Sequence, residues 1–348
     1  MLSAMRKALS LSLLAFAIGC SESNPPGASP DPIDSGVSQE GGTSQEGGVF
    51  AWSEVTPCPV PRFEANGVVV DDELWVMGGF LSSMLDVTKR IDIYDPRSDH
   101  WRLGPELPGA ETHAGLASVG RDFLLVGGFE GNVLNRTTTA GVWRWLAEAG
   151  VWKSGPDLPT PRAAVFAALT GTTLHAAGGL APDGNTDSGE HLVWDLLGSP
   201  VWTAAPPLPN PRNHGGAAAV GGQFFAVSGR HGWDEVAGDD PALDAFVPAT
   251  NTWSSRAPMP ASRSEIGAAT IAMADGRLLI VGGSVTGKIP SADVLVYDPL
   301  KDLWSTLPSL PIPLKGVVAA RIGAKVIVTT GSPTSTDPTD KTYVGCCL

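Results

Sequence analysis

The chain has 348 residues, with 36 acidic against 23 basic side chains and a formal net charge of −13. Phosphate binding needs clustered Lys and Arg, so this balance argues against a nucleic-acid partner. With 42 Gly, 30 Pro and little sign of long amphipathic helices, the composition points to an all-β chain with many turns.

Arg6 and Lys7 precede ALSLSLLAFA, an apolar stretch too short to span a membrane. The segment ends AIGC, which resembles a bacterial lipobox. That resemblance implies a signal peptide over residues 1–19 and lipidation of Cys20. Ala17, at the third place before the cysteine, is less typical than Leu, so ordinary secretory cleavage is the alternative. Residues 20–48 hold few apolar side chains and an imperfect SQEGG duplication. They cannot bury enough surface to offset chain entropy and are expected to be a disordered tether. Ser21 after the cysteine resembles the outer-membrane address of a Gram-negative lipoprotein. A secreted or periplasmic location is the alternative.

From residue 49 onward a repeat governs the chain. Trp52, Trp101, Trp152, Trp202, Trp253 and Trp304 lie 49 to 51 residues apart, a period that marks a repeat architecture. Each unit runs from an LP-like corner into an inner strand such as GGAAAV, then a second strand ending in glycine, as in FLLVGG. A third strand ends in an aromatic, one of Tyr94, Trp145, Trp194, Phe246, Tyr297 and Tyr343, and a fourth carries the Trp. The diglycines are Gly78-Gly79, Gly127-Gly128, Gly178-Gly179 and Gly282-Gly283, with Ser228-Gly229 and Thr330-Gly331 as departures. Diglycine, aromatic and Trp in this order resemble the kelch repeat. The resemblance implies an all-β fold: a six-bladed kelch-type β-propeller of four-stranded blades, over residues 49–348. Packing such sheets around an axis covers their faces. After Trp304 there is room for three strands, about Val317–Ile322, Lys325–Thr330 and Lys341–Gly345. The N-terminal VFAWSEV, Val49 to Val55, is expected to supply the fourth and close the ring. The Trp and aromatic columns read as packing between blades.

Functional candidates are the places where the copies differ at one end of the ring. Aligned on the diglycine, one column reads Arg62, Glu111, Arg162, Arg212 and Leu314, and Arg263 joins it after allowing for a longer inner hairpin in the fifth unit. Two residues later a second reads Glu64, His113, Ala164, His214, Glu265 and Gly316. Side chains two apart on a strand point the same way. Arg62, Glu64, His113, Arg162, Arg212, His214, Arg263 and Glu265 are therefore expected together at the channel mouth, as an anion or sugar site with acid and base groups. A hydrated structural rim is the competing reading. His113, His214, Glu64 and Glu265 could serve a first-row metal, but no His-x-His or His-x-x-x-His pair is present, and neither metal nor cofactor is expected. Trp233, in the fourth unit's GRHGWDEVAGDDPALDA loop, is a candidate for sugar stacking or a protein hot spot.

No Gly-x-Ser-x-Gly and no cysteine dyad occurs, so no catalytic residue is assigned. Cys58, Cys346 and Cys347 fall on one blade if the ring closes, and a disulfide from Cys58 to one of the pair is expected. The leading function is an envelope-anchored, monomeric binding module for a glycan or protein ligand. One alternative, by analogy of fold, is a sugar-modifying enzyme of the sialic acid mutarotase or epimerase type using the Glu, His and Arg rim. The other is a structural component of an envelope assembly.

Overall fold

The computed structural model describes residues 50–132, 134–232, 238–286 and 288–346. Among them are six four-stranded antiparallel sheets. Their innermost strands are Asn66–Val70, Gly115–Val119, Phe166–Thr170, Gly216–Val220, Thr270–Ala272 and Val318–Ile322. The sheets are numbered here in that order. The fold is that of a β-propeller.

The sixth sheet is completed from the other end of the chain. Ala51–Val55 pairs antiparallel with Thr342–Cys346, placing Trp52 opposite Gly345. The expected closing strand therefore forms, and three of the sheet's strands fall within a residue of their expected limits.

The glycines at the end of each second strand explain the repeat. In every sheet the residue before the connecting loop donates its N–H to the next sheet. Gly79 donates to Glu111 O, Gly128 to Arg162 O, Gly179 to Arg212 O, Gly229 to Arg263 O and Gly283 to Leu314 O. Gly331 donates back to Arg62 O at 2.8 Å, which returns the series to the first sheet. At the preceding position a side chain is crowded: a Cβ on Gly127, at φ +62°, would stand 2.2 Å from Arg162 O, whereas the fourth and sixth sheets carry Ser228 and Thr330 there. The Trp column staples neighbouring sheets as well. The indole N–H of Trp101, Trp202, Trp253, Trp304 and Trp52 donates to the carbonyls of Thr56, Pro156, Pro206, Ala257 and Pro308, at 2.8–3.0 Å. These tryptophans act as packing groups with a polar handle.

The fifth unit carries extra residues before its second strand, and they alter the axis. Gly267–Ala269 form a single 3-10 turn that packs against the inner strands of the first, second, fourth and sixth sheets. The turn plugs the channel. Gly216 leaves it room, since a Cβ there would collide with Thr270 Oγ1. On one side of the plug lies a small axial chamber. On the other lies an open funnel of about 550 Å³ lined largely by Ala, Val and Leu of the inner strands. The closing pair of strands is oriented the same way in the sixth sheet: Ala51 and Cys346 align with the Ile322–Lys325 end, on the funnel side, and Val55 with the opposite end.

Candidate functional site

The second candidate column converges as expected, by a backbone device. Glu64, His113, Ala164, His214, Glu265 and Gly316 all have φ between 53° and 58°, a left-handed conformation uncommon outside glycine. It turns successive N–H groups around the axis. Ala164 N donates to His113 O, Glu265 N to His214 O, Gly316 N to Glu265 O and Glu64 N to Gly316 O, at 2.7–3.2 Å. The side chains of this ring face a chamber of about 60 Å³, whose floor is formed by Gly267 and Ala268 of the plug.

The arginine column does not reach the chamber, which corrects the expectation of one shared face. Arg62, Arg162, Arg212 and Arg263 are buried, each 0–1% exposed. Their guanidiniums turn into the sheets. Arg62 pairs with Asp92, Arg263 with Asp293, and Arg162 lies 3.4 Å from Glu190 while donating to Gly178 O and Glu190 O. Arg212 pairs with Asp244 at 2.8 Å and donates to the carbonyls of Asn210, Ala226, Ser228 and Ala242. The left-handed residue two places on breaks the strand alternation, so residues two apart here point in different directions.

Glu111 fills the arginine position of the second sheet, and its Oε1 is buried without a hydrogen-bond partner. Burial, reinforced by Glu130, pushes its carboxyl up to about 8. Raised above its ordinary value of 4.5, it contributes stability that is full below that pH and is lost as pH rises through about 8. Glu111→Gln is accordingly expected to leave the melting temperature near pH 5 almost unchanged and to raise it at pH 9. Thermal melts at the two pH values check this.

Charged groups that the two columns did not include meet Glu265 at the ring. Lys315 Nζ lies 3.0 and 3.3 Å from the two carboxylate oxygens of Glu265, and Arg230 Nη1 lies 3.5 Å from Oε1. Arg230 Nη2 also donates to His214 Nε2 at 3.0 Å, and His214 Nδ1 faces Asn213 Oδ1. His214 therefore carries its proton on Nδ1 and is neutral. Burial, then Arg230 and His113, hold its pKa well below the ordinary value. His113 stacks edgewise on His214, Phe80 and Phe129, and its Nε2 lies 2.7 Å from Glu64 Oε2 without hydrogen-bond alignment. Burial would raise the Glu64 carboxyl, but His113, Lys315 and Arg230 hold it well below the carboxylate range. Glu265 shifts the other way, raised by burial and by Glu64. Arg136 lies with its guanidinium 4.4 Å over the Phe129 ring and interacts electrostatically with Glu64.

The residue after each diglycine gives the mouth two unlike halves. Phe80, Phe129 and Leu180 stand on the first three sheets, Arg230, Ser284 and Ser332 on the last three. Their bridge partners follow suit with one exception: Phe63 and Ala163, but also Thr112 opposite Phe129, on one side, and Asn213, Ser264 and Lys315 on the other.

Trp233 and Cys20 lie outside the described residues, as does Cys347. Next to the first of these, His231 sits between Asp187 at 3.3 Å and Asp240 at 2.9 Å. Cys58 and Cys346 are free thiols, so the disulfide expected from Cys58 to one of Cys346 and Cys347 does not run to Cys346. Cys58 N donates to Asp340 O, two residues before the third strand, whereas Cys346 ends that strand. The six residues from Asp340 to Cys346 separate the two by roughly 20 Å of extended chain, beyond disulfide reach. Burial pushes the Cys58 thiol up to about 11. Among the described residues, no three His, Cys, Asp or Glu side chains are grouped to hold a metal ion.

A family model described as the kelch motif matches residues 61–108 and 267–311. The chain carries kelch motifs. Relatives include the kelch-like protein terF of Aspergillus terreus, 27% identical over 258 residues, or 71% of this chain and 55% of the relative. A kelch repeat-containing protein of Arabidopsis thaliana is 23% identical over 303 residues, covering 80% and 70%. Human kelch-like protein 34 is 28% identical over 240 residues, covering 65% and 35%. The chain thus spans about half the length of the fungal relative. The two matched kelch segments include the first and fifth sheets, whose ring residues are Glu64 and Glu265.

Proposed function

We propose that this chain is a binding module that receives one functional group of a protein or glycan ligand in the axial chamber. The observation that carries this reading is the convergence of Glu64, His113, His214 and Glu265, from four sheets, around 60 Å³, with Lys315 and Arg230 paired to Glu265 beside it. Scaffold alone does not require such a cluster, because buried charges are costly unless paired. The size of the chamber favours binding over conversion of a sugar inside it. Small-molecule sites measure about 300–1,000 Å³, whereas this one holds about two waters, at roughly 30 Å³ each. It can take a group but not a ring. Kelch-repeat proteins bind protein partners, which makes a protein segment the first ligand class to try. The test is to screen peptide and glycan arrays with the purified chain and to repeat every hit with Lys315→Met.

A further inference from the structure

The outer wall of the ring departs from the repeat between the second and third sheets. In the first, second, fourth and fifth sheets the third-strand aromatic stands directly across from the Trp of the fourth strand. In the third sheet the ladder stops one pair short, at Val193 opposite Thr203. Its turn is one residue longer, since Trp202 follows Trp194 by eight residues in place of seven. The turn also carries Pro200, which has no N–H to give a ladder. Trp194 and Pro200 there line a surface cavity of about 560 Å³, whose other walls include Leu146 and Pro156. Val151, Leu197 and Val201, close to these walls in the chain, are exposed. Exposed apolar side chains grouped around a cavity mark a binding site.

The cations of this cavity are Arg144 and Lys153, which stand directly opposite each other on neighbouring strands. Like charges so placed are destabilising. Asp122 holds Arg144 at 2.8 Å, whereas no acid is within ion-pair reach of Lys153 among the described residues. Arg144 Nε is buried without a hydrogen-bond partner. Glu148, Asp157 and Asp195, the remaining acids of these segments, do not line the cavity.

We propose that this cavity binds a small-molecule carboxylate carried on an apolar body. The carboxylate pairs with Lys153 and relieves its repulsion from Arg144, which keeps Asp122. The apolar body lies against Leu146, Pro156, Trp194 and Pro200. The volume falls within the roughly 300–1,000 Å³ of small-molecule sites. The site shares no lining residue with the axial chamber and stands independently of the reading given to it.

The experiment is calorimetric titration of the full chain with 4-phenylbutyrate, 4-phenylbutylamine and butyrate, together with co-sedimentation on phosphatidylglycerol vesicles. 4-Phenylbutyrate is expected to saturate one site. Butyrate, which lacks the ring, should bind more weakly by about tenfold or more. The amine, repelled by both cations, should not saturate. Lys153→Met should weaken 4-phenylbutyrate about tenfold, as for the loss of one charged contact. Lys153→Arg should restore it. Lys153 is exposed and outside any ion pair, so its variants are expected to melt as wild type. Arg321→Met, in the funnel, should bind 4-phenylbutyrate as wild type. Absence of saturation overturns the proposal. Equal affinity in Lys153→Met, or a loss confined to Arg321→Met, overturns it by placing the acid elsewhere. Equal binding of the amine rejects the anion. Capture by vesicles that Lys153→Met abolishes, without saturation by the free acid, would make this surface a lipid contact and reject the proposal as well.

Discussion

Arg212→Ala is expected to destabilise the chain by about 3–5 kcal/mol, because it strands the buried charge of Asp244. The same change removes the donors of the Asn210, Ala226, Ser228 and Ala242 carbonyls, each of which then costs part of its desolvation. Urea midpoints at pH 7 measure the loss. Arg212→Met with Asp244→Leu should recover the ionic part, since removing both partners avoids an unpaired buried charge. The carbonyls still lose the Arg212 donors, although Ala242 O keeps the Ser228 N–H, so recovery is partial. A loss below about 1 kcal/mol in the single variant would show that the arginine column is not a staple.

The second large effect is acid lability at the contact between the third and fourth sheets. His191 Nδ1 donates to Pro206 O at 3.1 Å, leaving Nε2 to accept from His175 Nδ1 at 3.0 Å. Thr170 Oγ1 donates to His175 Nε2 at 2.7 Å. Both rings are thus neutral, and both pack on Phe224 and Phe246. Burial, then His191, lowers His175 to about 3, and burial lowers His191 to about 4. The unfolded chain binds these protons near the ordinary 6.5. Their contribution to stability is therefore complete above that pH and drains away as pH falls from about 6.5 toward 4. It is on the order of 3 kcal/mol per ring. Denaturant midpoints from pH 7.5 to 4.5 should show the decline, and His191→Gln should flatten it. An identical slope in that variant would place the titration elsewhere.

The fold was legible in the sequence because its determinants repeat. The Trp period, the diglycines and the orphaned Trp52 each reflect a contact made once per sheet, so six noisy copies reinforce one signal. The ring of Glu64, His113, His214 and Glu265 was legible for the same reason. The fate of the arginines was not. Strand alternation puts Arg212 and His214 on one face, and only the positive φ of His214 undoes that. No sequence pattern announces a left-handed histidine. Arg230 and Lys315 were hidden differently: they lie one column away from the ring residues, and only space brings them to Glu265. A signal was present, because the residue after the diglycine changes from Phe80, Phe129 and Leu180 to Arg230, Ser284 and Ser332 halfway round the ring. The plug was visible only as extra length in the fifth unit. Its consequence, a channel divided into a charged chamber and an apolar funnel, depends on packing against other sheets.

The central claim is that ligand enters at the chamber end. It is tested most directly by the affinity of an array hit for two charge-neutralising variants, Lys315→Met in the chamber and Arg321→Met in the funnel. The chamber variant is expected to lose ten- to a hundredfold in affinity, as for the loss of one charged contact of about 1.5–3 kcal/mol. The funnel variant should bind as wild type and melt normally, while Lys315→Met, which leaves the buried Glu265 short of a cation, melts lower and is compared below its own midpoint. Full binding by Lys315→Met, or a loss confined to Arg321→Met, would contradict it.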